Sequence, residues 1–228
     1  MHTGPVKWLV MNRELFSEAI GSFALVFAGC GAIVVNDLYG NSLGHLGVSA
    51  VFGLVVMAVI YAIGNTSGAH INPAVTIAFA LGGRFPKAKI GPFVLAQIGG
   101  ATLGALALRV LFPEHLSLGI TIPVGTWQQA FLMESILSFL LMFVILNVST
   151  GHMEKGIMAG VAIGGTVALE ALIGGPVTGA SMNPARSIAP ALISGSFDSL
   201  WIYLAAPTLG ALLAVPTCRM TQGDSCCT

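Results

Sequence analysis

The chain has 228 residues, and only 18 of them are Asp, Glu, Lys or Arg, 8% against about a quarter in soluble proteins. Apolar side chains make up 55% of the residues, and the mean hydropathy is +0.89. This composition excludes an ordinary water-soluble surface and indicates a chain surrounded by lipid. Nine basic residues balance nine acidic ones, which excludes the positive surface that nucleic-acid binding requires.

Six apolar runs are long enough to cross a bilayer, whose core of about 30 Å takes about 20 helical residues. They are 15–36, 46–64, 90–112, 127–148, 157–174 and 199–217. Two shorter apolar stretches, 72–82 and 183–194, are about half a crossing long, and each begins with Asn-Pro-Ala. We therefore predict an all-α membrane protein with six transmembrane helices and two half-helices, followed by a cytoplasmic tail over 218–228.

Basic residues predict the orientation, because loops rich in Lys and Arg stay in the cytoplasm. Six spans place most of them on the side that holds both termini: Lys7, Arg13, Arg84, Lys87, Lys89, Lys155 and Arg219. Only Arg109 and Arg186 fall on the other side. Both termini are predicted to be cytoplasmic. No signal peptide is evident, which favours insertion by the spans themselves into a plasma membrane or a prokaryotic inner membrane.

The four cysteines, Cys30, Cys218, Cys226 and Cys227, have no spacing typical of a zinc site. We interpret them neither as disulfides nor as metal ligands, and we predict no metal and no cofactor. Cys226 and Cys227 could accept a lipid chain beside the membrane. The favoured interpretation is that they are tail residues without a function.

Three segments of the chain are repeated in order. Residues 18–27 resemble 134–143 at an offset of 116, 67–75 resemble 178–186 at 111, and 102–105 resemble 208–211 at 106. Each copy, about 15–112 and 127–217, holds three spans, so the second copy enters the membrane in the opposite direction. The half-helices then enter from opposite faces, and non-helical backbone at that depth must be buried in protein or line a water-filled cavity. We predict one transmembrane channel domain over 1–228, built from inverted repeats.

The two Asn-Pro-Ala boxes predict where the half-helices begin. They are Asn72, Pro73, Ala74 and Asn183, Pro184, Ala185. Asn is a good helix N-cap, and Pro suits the first helical position. The two N-termini, each with roughly half a positive charge, would face one another and repel cations and protons. The asparagine amides would donate hydrogen bonds to a neutral permeant.

At this point the sequence resembles the major intrinsic proteins, that is, the aquaporins and aquaglyceroporins. The resemblance covers about 15–217 and rests on both boxes, on Arg186 directly after the second box, on the repeats that contain Glu18 and Glu134, and on the six spans. The run 174–187 is most similar to the plant nodulin-type intrinsic proteins and their bacterial relatives. The resemblance implies a passive channel in membrane lipid that forms a homotetramer with one pore per subunit.

The family has an outer constriction, the selectivity filter, formed by four positions. Spacing from the two boxes places them at Phe52, Ala171, Ala180 and Arg186. Water-selective members usually have His where this chain has Ala171, and glycerol-type members typically have Trp and a second aromatic residue, which this chain lacks. The filter is therefore expected to be wide and amphipathic, suited to water and to a small polyol, urea or an uncharged metalloid hydroxide. If the alignment of the fifth span slips by one residue, Glu170 would face the pore instead.

Several buried polar residues need partners, because carboxylates in a membrane are costly when unpaired. By the resemblance, Glu18 and Glu134 accept N–H groups of the non-helical backbone ahead of each half-helix, with Gln97 as a polar packing residue; the alternative is a proton relay. His70, two residues before the first box, is interpreted as structural or, alternatively, as a pore-lining pH sensor. Glu170 has no equivalent, and we interpret it as a protonated or hydroxyl-bonded core residue.

A membrane chain of this kind could belong to three functional classes. An enzyme is disfavoured, because the sequence offers no arrangement of nucleophile and base. An ion-coupled secondary transporter also uses inverted repeats and broken helices, but it would need groups near the midplane that coordinate a coupling ion. The favoured function is a passive channel for water and small uncharged solutes, and the alternative within this class is a strictly water-selective channel.

Overall fold

The computed structural model describes residues 5–149 and 153–223, and the side chains of 10–149 and 157–223. The described part contains eight α-helices: α1 (Pro5–Leu38), α2 (Gly44–Ser67), α3 (Pro73–Leu81), α4 (Ile90–Leu111), α5 (Trp127–Val148), α6 (Met153–Thr178), α7 (Pro184–Ser194) and α8 (Leu200–Gln222). A 3-10 turn, Lys87–Lys89, precedes α4. Six of the helices are long and apolar enough to cross a membrane, and α3 and α7 are short. The prediction of six spans and two half-helices is confirmed.

The ends of the outer helices differ from the predicted runs. α1 begins at Pro5 rather than at residue 15. The apolar run did not include its first turns, because these turns carry polar residues. α8 continues to Gln222, so residues 218–222, predicted as the start of the tail, are helical. Cys218 is disulfide-bonded, and the prediction that no cysteine forms a disulfide is wrong for this residue. Cys226 and Cys227 lie outside the described residues.

The two halves of the chain have the same order of elements, two long helices, one half-helix and one long helix. α1 packs against α2 and α4, and α5 packs in the same way against α6 and α8. The halves meet where α2 packs against α6. Each half-helix also packs on the last long helix of the opposite half, α3 on α8 and α7 on α4. The two halves are therefore interlocked at the centre of the molecule.

Glycines allow this close packing at several crossings. A Cβ on Gly164 of α6 would lie 2.6 Å from the carbonyl oxygen of Gly53 on α2, so a side chain cannot fit there. Gly100 and Gly210 lie directly against the backbone of neighbouring helices in the same way. The close approach of the helices at these crossings therefore requires glycine. Gly99 of α4, in contrast, faces open space.

Candidate functional site

Two short loops with the same backbone conformation precede the half-helices. Each has a glycine and two non-glycine residues with positive φ: Gly68 (87°), Ala69 (48°) and Ile71 (42°) in the first, and Gly179 (85°), Ala180 (42°) and Met182 (53°) in the second. Such conformations cost free energy for side chains other than glycine, about 1–3 kcal/mol each, and persist only when surrounding groups hold them. The two loops therefore need partners from elsewhere in the fold.

Glu18 of α1 holds the first loop. One of its carboxylate oxygens accepts hydrogen bonds from the Ser67 hydroxyl at 2.7 Å and from the His70 backbone N–H at 3.0 Å. The other oxygen accepts the Ile71 N–H and the Gln97 side-chain amide, both at 2.7 Å. The carboxylate is fully buried and has four donors, which compensates for its removal from water.

Glu134 of α5 holds the second loop in the corresponding way. Its carboxylate accepts hydrogen bonds from the Thr178 hydroxyl at 2.7 Å and from the backbone N–H groups of Ser181 at 2.9 Å and Met182 at 2.8 Å. It is also fully buried. Both glutamates thus accept the loop N–H groups, as the resemblance implies.

Asn72 and Asn183 are the N-caps of α3 and α7. The Asn72 side-chain oxygen accepts the Ala74 N–H at 2.9 Å, and that of Asn183 accepts the N–H groups of Ala185 at 3.0 Å and Arg186 at 3.3 Å. Pro73 and Pro184 are the first residues of the two helices. The predicted helix starts are confirmed.

The two asparagine amides also connect the halves. Asn72 Nδ2 donates to the carbonyl of Met182, and Asn183 Nδ2 donates to the carbonyl of Ile71, both at 2.8 Å. The N-termini of α3 and α7 therefore meet at one point. Because each amide nitrogen carries two hydrogens, this crossed pair of bonds leaves one N–H on each asparagine for another acceptor.

A cavity of about 760 Å³ runs past this point. Residues of both halves line it, and the lining is mostly apolar. Both asparagines line it, and so do four of the other predicted site residues, Phe52, His70, Ala180 and Arg186. The structure thus brings the two boxes and three of the four predicted filter residues to one cavity.

Arg186 is the charged group of this cavity. Its side chain is almost completely buried, 2% exposed, and its guanidinium lies 5.2 Å from the centre of the Phe52 ring. Nη1 donates to the carbonyl of Gly119 at 2.7 Å. Nε and Nη2 have no hydrogen-bond partner in the described part of the chain. A guanidinium in this state has unused donors beside an aromatic wall.

Ala171 and Glu170 are not among the residues that line the cavity. Val167 of α6 does line it, and Ala171 is one helical turn further along the same face. Glu170 is buried, 1% exposed, and both its carboxylate oxygens lack a hydrogen-bond partner among the described residues. Of the two interpretations of Glu170, the hydroxyl-bonded residue is contradicted, because no described hydroxyl binds it, and the protonated core residue stays a prediction.

His70 lines the cavity and lies inside an aromatic cluster. Its ring stacks on Phe79 with 4.8 Å between centroids and also contacts Phe85 and Phe93. Its Nδ1 is 3.1 Å from the Thr76 hydroxyl. The ring is thus held on several sides while it lines the cavity.

Three contributors to the site were not predicted from the sequence. Ser67 and Thr178 occupy equivalent repeat positions, so a hydroxyl kept in both copies was a usable signal for partners of the two glutamates. Gly119, which binds Arg186, lies in the connection between α4 and α5, which has no counterpart in the repeat. Nothing in the sequence pattern distinguishes it.

The sequence matches the major intrinsic protein family over residues 6–216. The chain belongs to this family. It is 48% identical over 201 residues to Nodulin-26 of Glycine max, covering 88% of this chain and 74% of that protein. It is 46% identical over 214 residues to Aquaporin NIP1-2 of Oryza sativa subsp. japonica, covering 90% of this chain and 70% of the relative.

The fold is similar to a solved member of the same kind. The X-ray structure of the aquaglyceroporin from Plasmodium falciparum superposes with a TM-score of 0.78 at 26% identity, over 90% of this chain and 94% of that one. The nodulin-type character expected from residues 174–187 agrees with the similar proteins. The major intrinsic protein described here is thus a multi-pass membrane channel for water and small solutes and not an enzyme.

Proposed function

We propose that the cavity is the conduction path and that the crossed asparagine pair is its centre. The observation that carries this proposal is the pair of 2.8 Å bonds from Asn72 to Met182 and from Asn183 to Ile71. These bonds bring two helix N-termini to the same point of the path, and a cation there meets two partial positive charges. A neutral permeant can accept the remaining N–H of each amide. Ions and protons are excluded while uncharged hydroxylated molecules pass.

The proposed selectivity filter consists of Phe52, Ala171, Ala180 and Arg186. Phe52 and Arg186 face each other at 5.2 Å, and Ala180 lines the same cavity. Ala171 completes the set one turn beyond Val167. The Ala180 methyl group shares the cavity with a guanidinium that has unused donors, and with the Ala171 methyl group beyond it the proposed mouth is wide on one side and polar on the other. This favours small polyols, urea and uncharged metalloid hydroxides in addition to water.

The residues that line the path argue against an ion-coupled transporter. Such a transporter needs oxygen ligands for its coupling ion near the midplane. In this cavity the midplane instead presents two helix N-termini and two amide N–H groups, which repel cations. A strictly water-selective channel is the alternative that the experiment below separates.

The channel is proposed to be one domain of two inverted repeats, with both termini in the cytoplasm of a plasma or inner membrane. Basic side chains gather at two ends of the molecule. Arg219 donates to the Gly82 carbonyl beside Arg84 at one end, whereas Arg109 and Arg186 bind the connection between α4 and α5 at the other. The first end has the larger number of basic residues, which assigns it to the cytoplasm.

The helices that are long enough to cross a membrane expose large apolar side chains, for example Leu95 at 72% and Val110 at 74% on α4. Lipid is one partner for such surfaces. We propose that other copies of the chain cover part of them in a homotetramer with one pore per subunit.

The solute class is tested by stopped-flow light scattering on proteoliposomes that contain the protein. Vesicles are expected to shrink rapidly in an impermeant sugar, and to shrink and then reswell in glycerol, urea or boric acid, because uncharged solutes follow water through a wide filter. Shrinkage without reswelling in all three solutes would establish the water-selective alternative.

The position of the filter is tested by Ala171→His. The added imidazole narrows the mouth, so the flux of glycerol and urea is expected to fall about tenfold while the water flux falls much less. Ala62→His, the same substitution at an exposed position of α2, is the matched control and should leave the ratio of the two fluxes unchanged. Equal losses of water and solute flux in Ala171→His would place the filter elsewhere.

A further inference from the structure

Arg186 depends on one loop carbonyl for its orientation. In the described structure the only hydrogen bond of its guanidinium is the one from Nη1 to the Gly119 oxygen. The direction in which the guanidinium points therefore depends on the direction of that carbonyl. Whatever holds Gly119 in place also sets the position of the charge beside Phe52.

The backbone around Gly119 is held in an unusual conformation. Leu118 and Gly119 both have positive φ, 52° and 71°. A leucine in this region needs fixed partners, and the Leu118 N–H has one, the ring nitrogen Nδ1 of His115 at 3.0 Å. The Leu118 side chain is completely buried against the core. His115 thus fixes the residue directly before the carbonyl that binds Arg186.

Both ring nitrogens of His115 are engaged. Nδ1 accepts the Leu118 N–H, so it carries no proton, and Nε2 lies 3.1 Å from a carboxylate oxygen of Asp37 at the end of α1. The described geometry therefore requires the neutral imidazole with its proton on Nε2. A second proton would have to sit on Nδ1, directly opposite the Leu118 N–H, and two donors cannot share that bond.

We propose that His115 is a positioning residue for Arg186, and that protonation of His115 releases the Gly119 carbonyl and so changes the solute selectivity of the channel. The inference rests on the proposed role of Arg186 in the filter. Histidine ordinarily changes its charge between about pH 5 and 8. The side that carries this connection is the proposed outer face, so the channel responds to the acidity outside.

The charged groups around His115 act in opposite directions. Asp37, half-exposed at the end of α1, attracts an imidazolium and strengthens its bond to Nε2. Arg109, in the last turn of α4, donates to the carbonyl oxygens of His115 and Leu116 at 3.1 Å and 2.9 Å, and its charge opposes a second positive charge nearby. Glu114 precedes His115 in the chain and has no described contact with the ring. Protonation therefore keeps the bond to Asp37 and breaks the bond to Leu118.

The expected direction follows from what Arg186 does without its carbonyl. A buried guanidinium that loses its only acceptor moves towards water, and the water is in the cavity that it already lines. The mouth becomes narrower, so glycerol and urea are slowed more than water. Between about pH 7.5 and about pH 5 the ratio of solute to water permeability is expected to fall about fivefold. This factor corresponds to the free energy that one hydrogen bond contributes net.

The experiment measures this ratio in proteoliposomes with the same buffer inside and outside, so that the orientation of the protein does not matter. His115→Asn keeps an acceptor for the Leu118 N–H but cannot become charged. Its ratio is expected to equal that of the unmodified channel at high pH and to stay there at low pH. His115→Lys, which is always charged, is expected to have the low ratio at both pH values. His45→Asn changes another histidine at the same end of the molecule, and this control should keep the pH response.

The results separate the role of His115 from the role of Arg186 in the filter. A full pH response in His115→Asn, or no response in the unmodified channel, overturns the inference. An equally low ratio in His115→Asn at both pH values also overturns it, because His115 would then be only a structural residue. Arg186→Val separates the two proposals: if it leaves the ratio unchanged, the filter proposal itself has failed, whereas a changed ratio together with a pH-insensitive wild type rejects only the role of His115.

Discussion

The loops around Asn72 and Asn183 solve the same backbone problem with different surroundings. Both present two inward N–H groups in a strained conformation, and in both a buried glutamate accepts them. Glu18 receives a fourth hydrogen bond from Gln97, whereas Glu134 has three donors. At the repeat position of Gln97 the second half has Tyr203, whose hydroxyl donates to the Thr178 carbonyl instead.

The neighbouring hydroxyl groups differ in the same sense. In the first half the Thr76 hydroxyl accepts from Gln97, so the network closes on itself. In the second half Ser187 is 2.6 Å from Ser181 and 2.8 Å from Thr121, which lies in the connection between α4 and α5. The hydroxyl network of the first half therefore closes on itself, while that of the second half is bound to the connection between α4 and α5. The carboxylate holds the loop backbone in both halves, and the groups around it differ.

The largest effect is expected from removal of either carboxylate. Glu18→Ala removes the acceptor of four donors, and Glu134→Ala removes the acceptor of three, of which the Thr178 hydroxyl keeps the Gly174 carbonyl at 3.4 Å. At about 1–3 kcal/mol for each unsatisfied group, both changes should severely destabilise the fold, Glu18→Ala by one donor more. Thermal unfolding in detergent measures the difference.

The matching control is Glu14→Ala on the same helix α1, which removes a partly exposed carboxylate that pairs with Lys89 of the 3-10 turn before α4. This change should lower the unfolding midpoint only slightly, since exposed ion pairs contribute about 0–1 kcal/mol. If Glu18→Ala were as mild as Glu14→Ala, the loops would not depend on the carboxylates, and the comparison of the two halves would lose its basis.

A second prediction concerns the residue that follows each box. Val75 and Arg186 are equivalent in the repeat, and both are buried, 4% and 2% exposed. Arg186→Val makes the second half like the first and removes a fixed charge. At about 8 Å and an effective dielectric constant of about 20, a unit charge contributes about 2 kcal/mol, so leakage of small cations should rise about 30-fold.

Uptake of a small monovalent cation into proteoliposomes measures that leak. Val75→Ala changes the equivalent residue without changing charge and should leave cation exclusion intact. Unchanged exclusion in Arg186→Val would mean that the two helix N-termini suffice to exclude charge.

The smallest effect is expected at Glu170, the least compensated polar group described. The repeat offset of 111 pairs it with Val59, since 170 − 111 = 59, and Val59 is an ordinary buried residue at 8% exposure. Glu170→Leu, of similar size, replaces an unpartnered carboxyl by an apolar side chain. It should raise the free energy of unfolding by about 1–3 kcal/mol and so raise the unfolding midpoint. The reciprocal change Val59→Glu should lower it. A lower midpoint for Glu170→Leu would show that Glu170 has a stabilising partner.

Lipid makes much of this fold predictable from the sequence. Each span must satisfy its own backbone hydrogen bonds over the bilayer thickness, so its apolar run predicts a helix. Residues 127–148 form α5 as predicted. The start of α1 at Pro5 was not predicted, because hydropathy does not identify helical turns that carry polar residues. The half-helix starts were predictable because Asn and Pro carry local capping chemistry.

The site was predictable only as far as the repeat reached. Equivalent positions in two copies point to Glu18 and Glu134, but the partners of Arg186 and Asn72 are backbone carbonyls, of Gly119 and Met182, and every residue has a carbonyl. Their selection depends on the folded path of the chain. The unpartnered state of Glu170 was likewise not predictable, because the sequence shows a carboxylate and not its neighbours.

The exchange of hydrogen bonds between Asn72 and Asn183 has a consequence for biosynthesis. As the chain emerges from the ribosome, α3 is made long before its packing partner α8, and α4 is made before its packing partner α7. Neither asparagine can complete its bonds until residues from the opposite copy have been translated and inserted. The centre of the molecule therefore cannot close until the second copy has been inserted, and a chain truncated before α7 would have an unfinished centre however well its five spans had inserted.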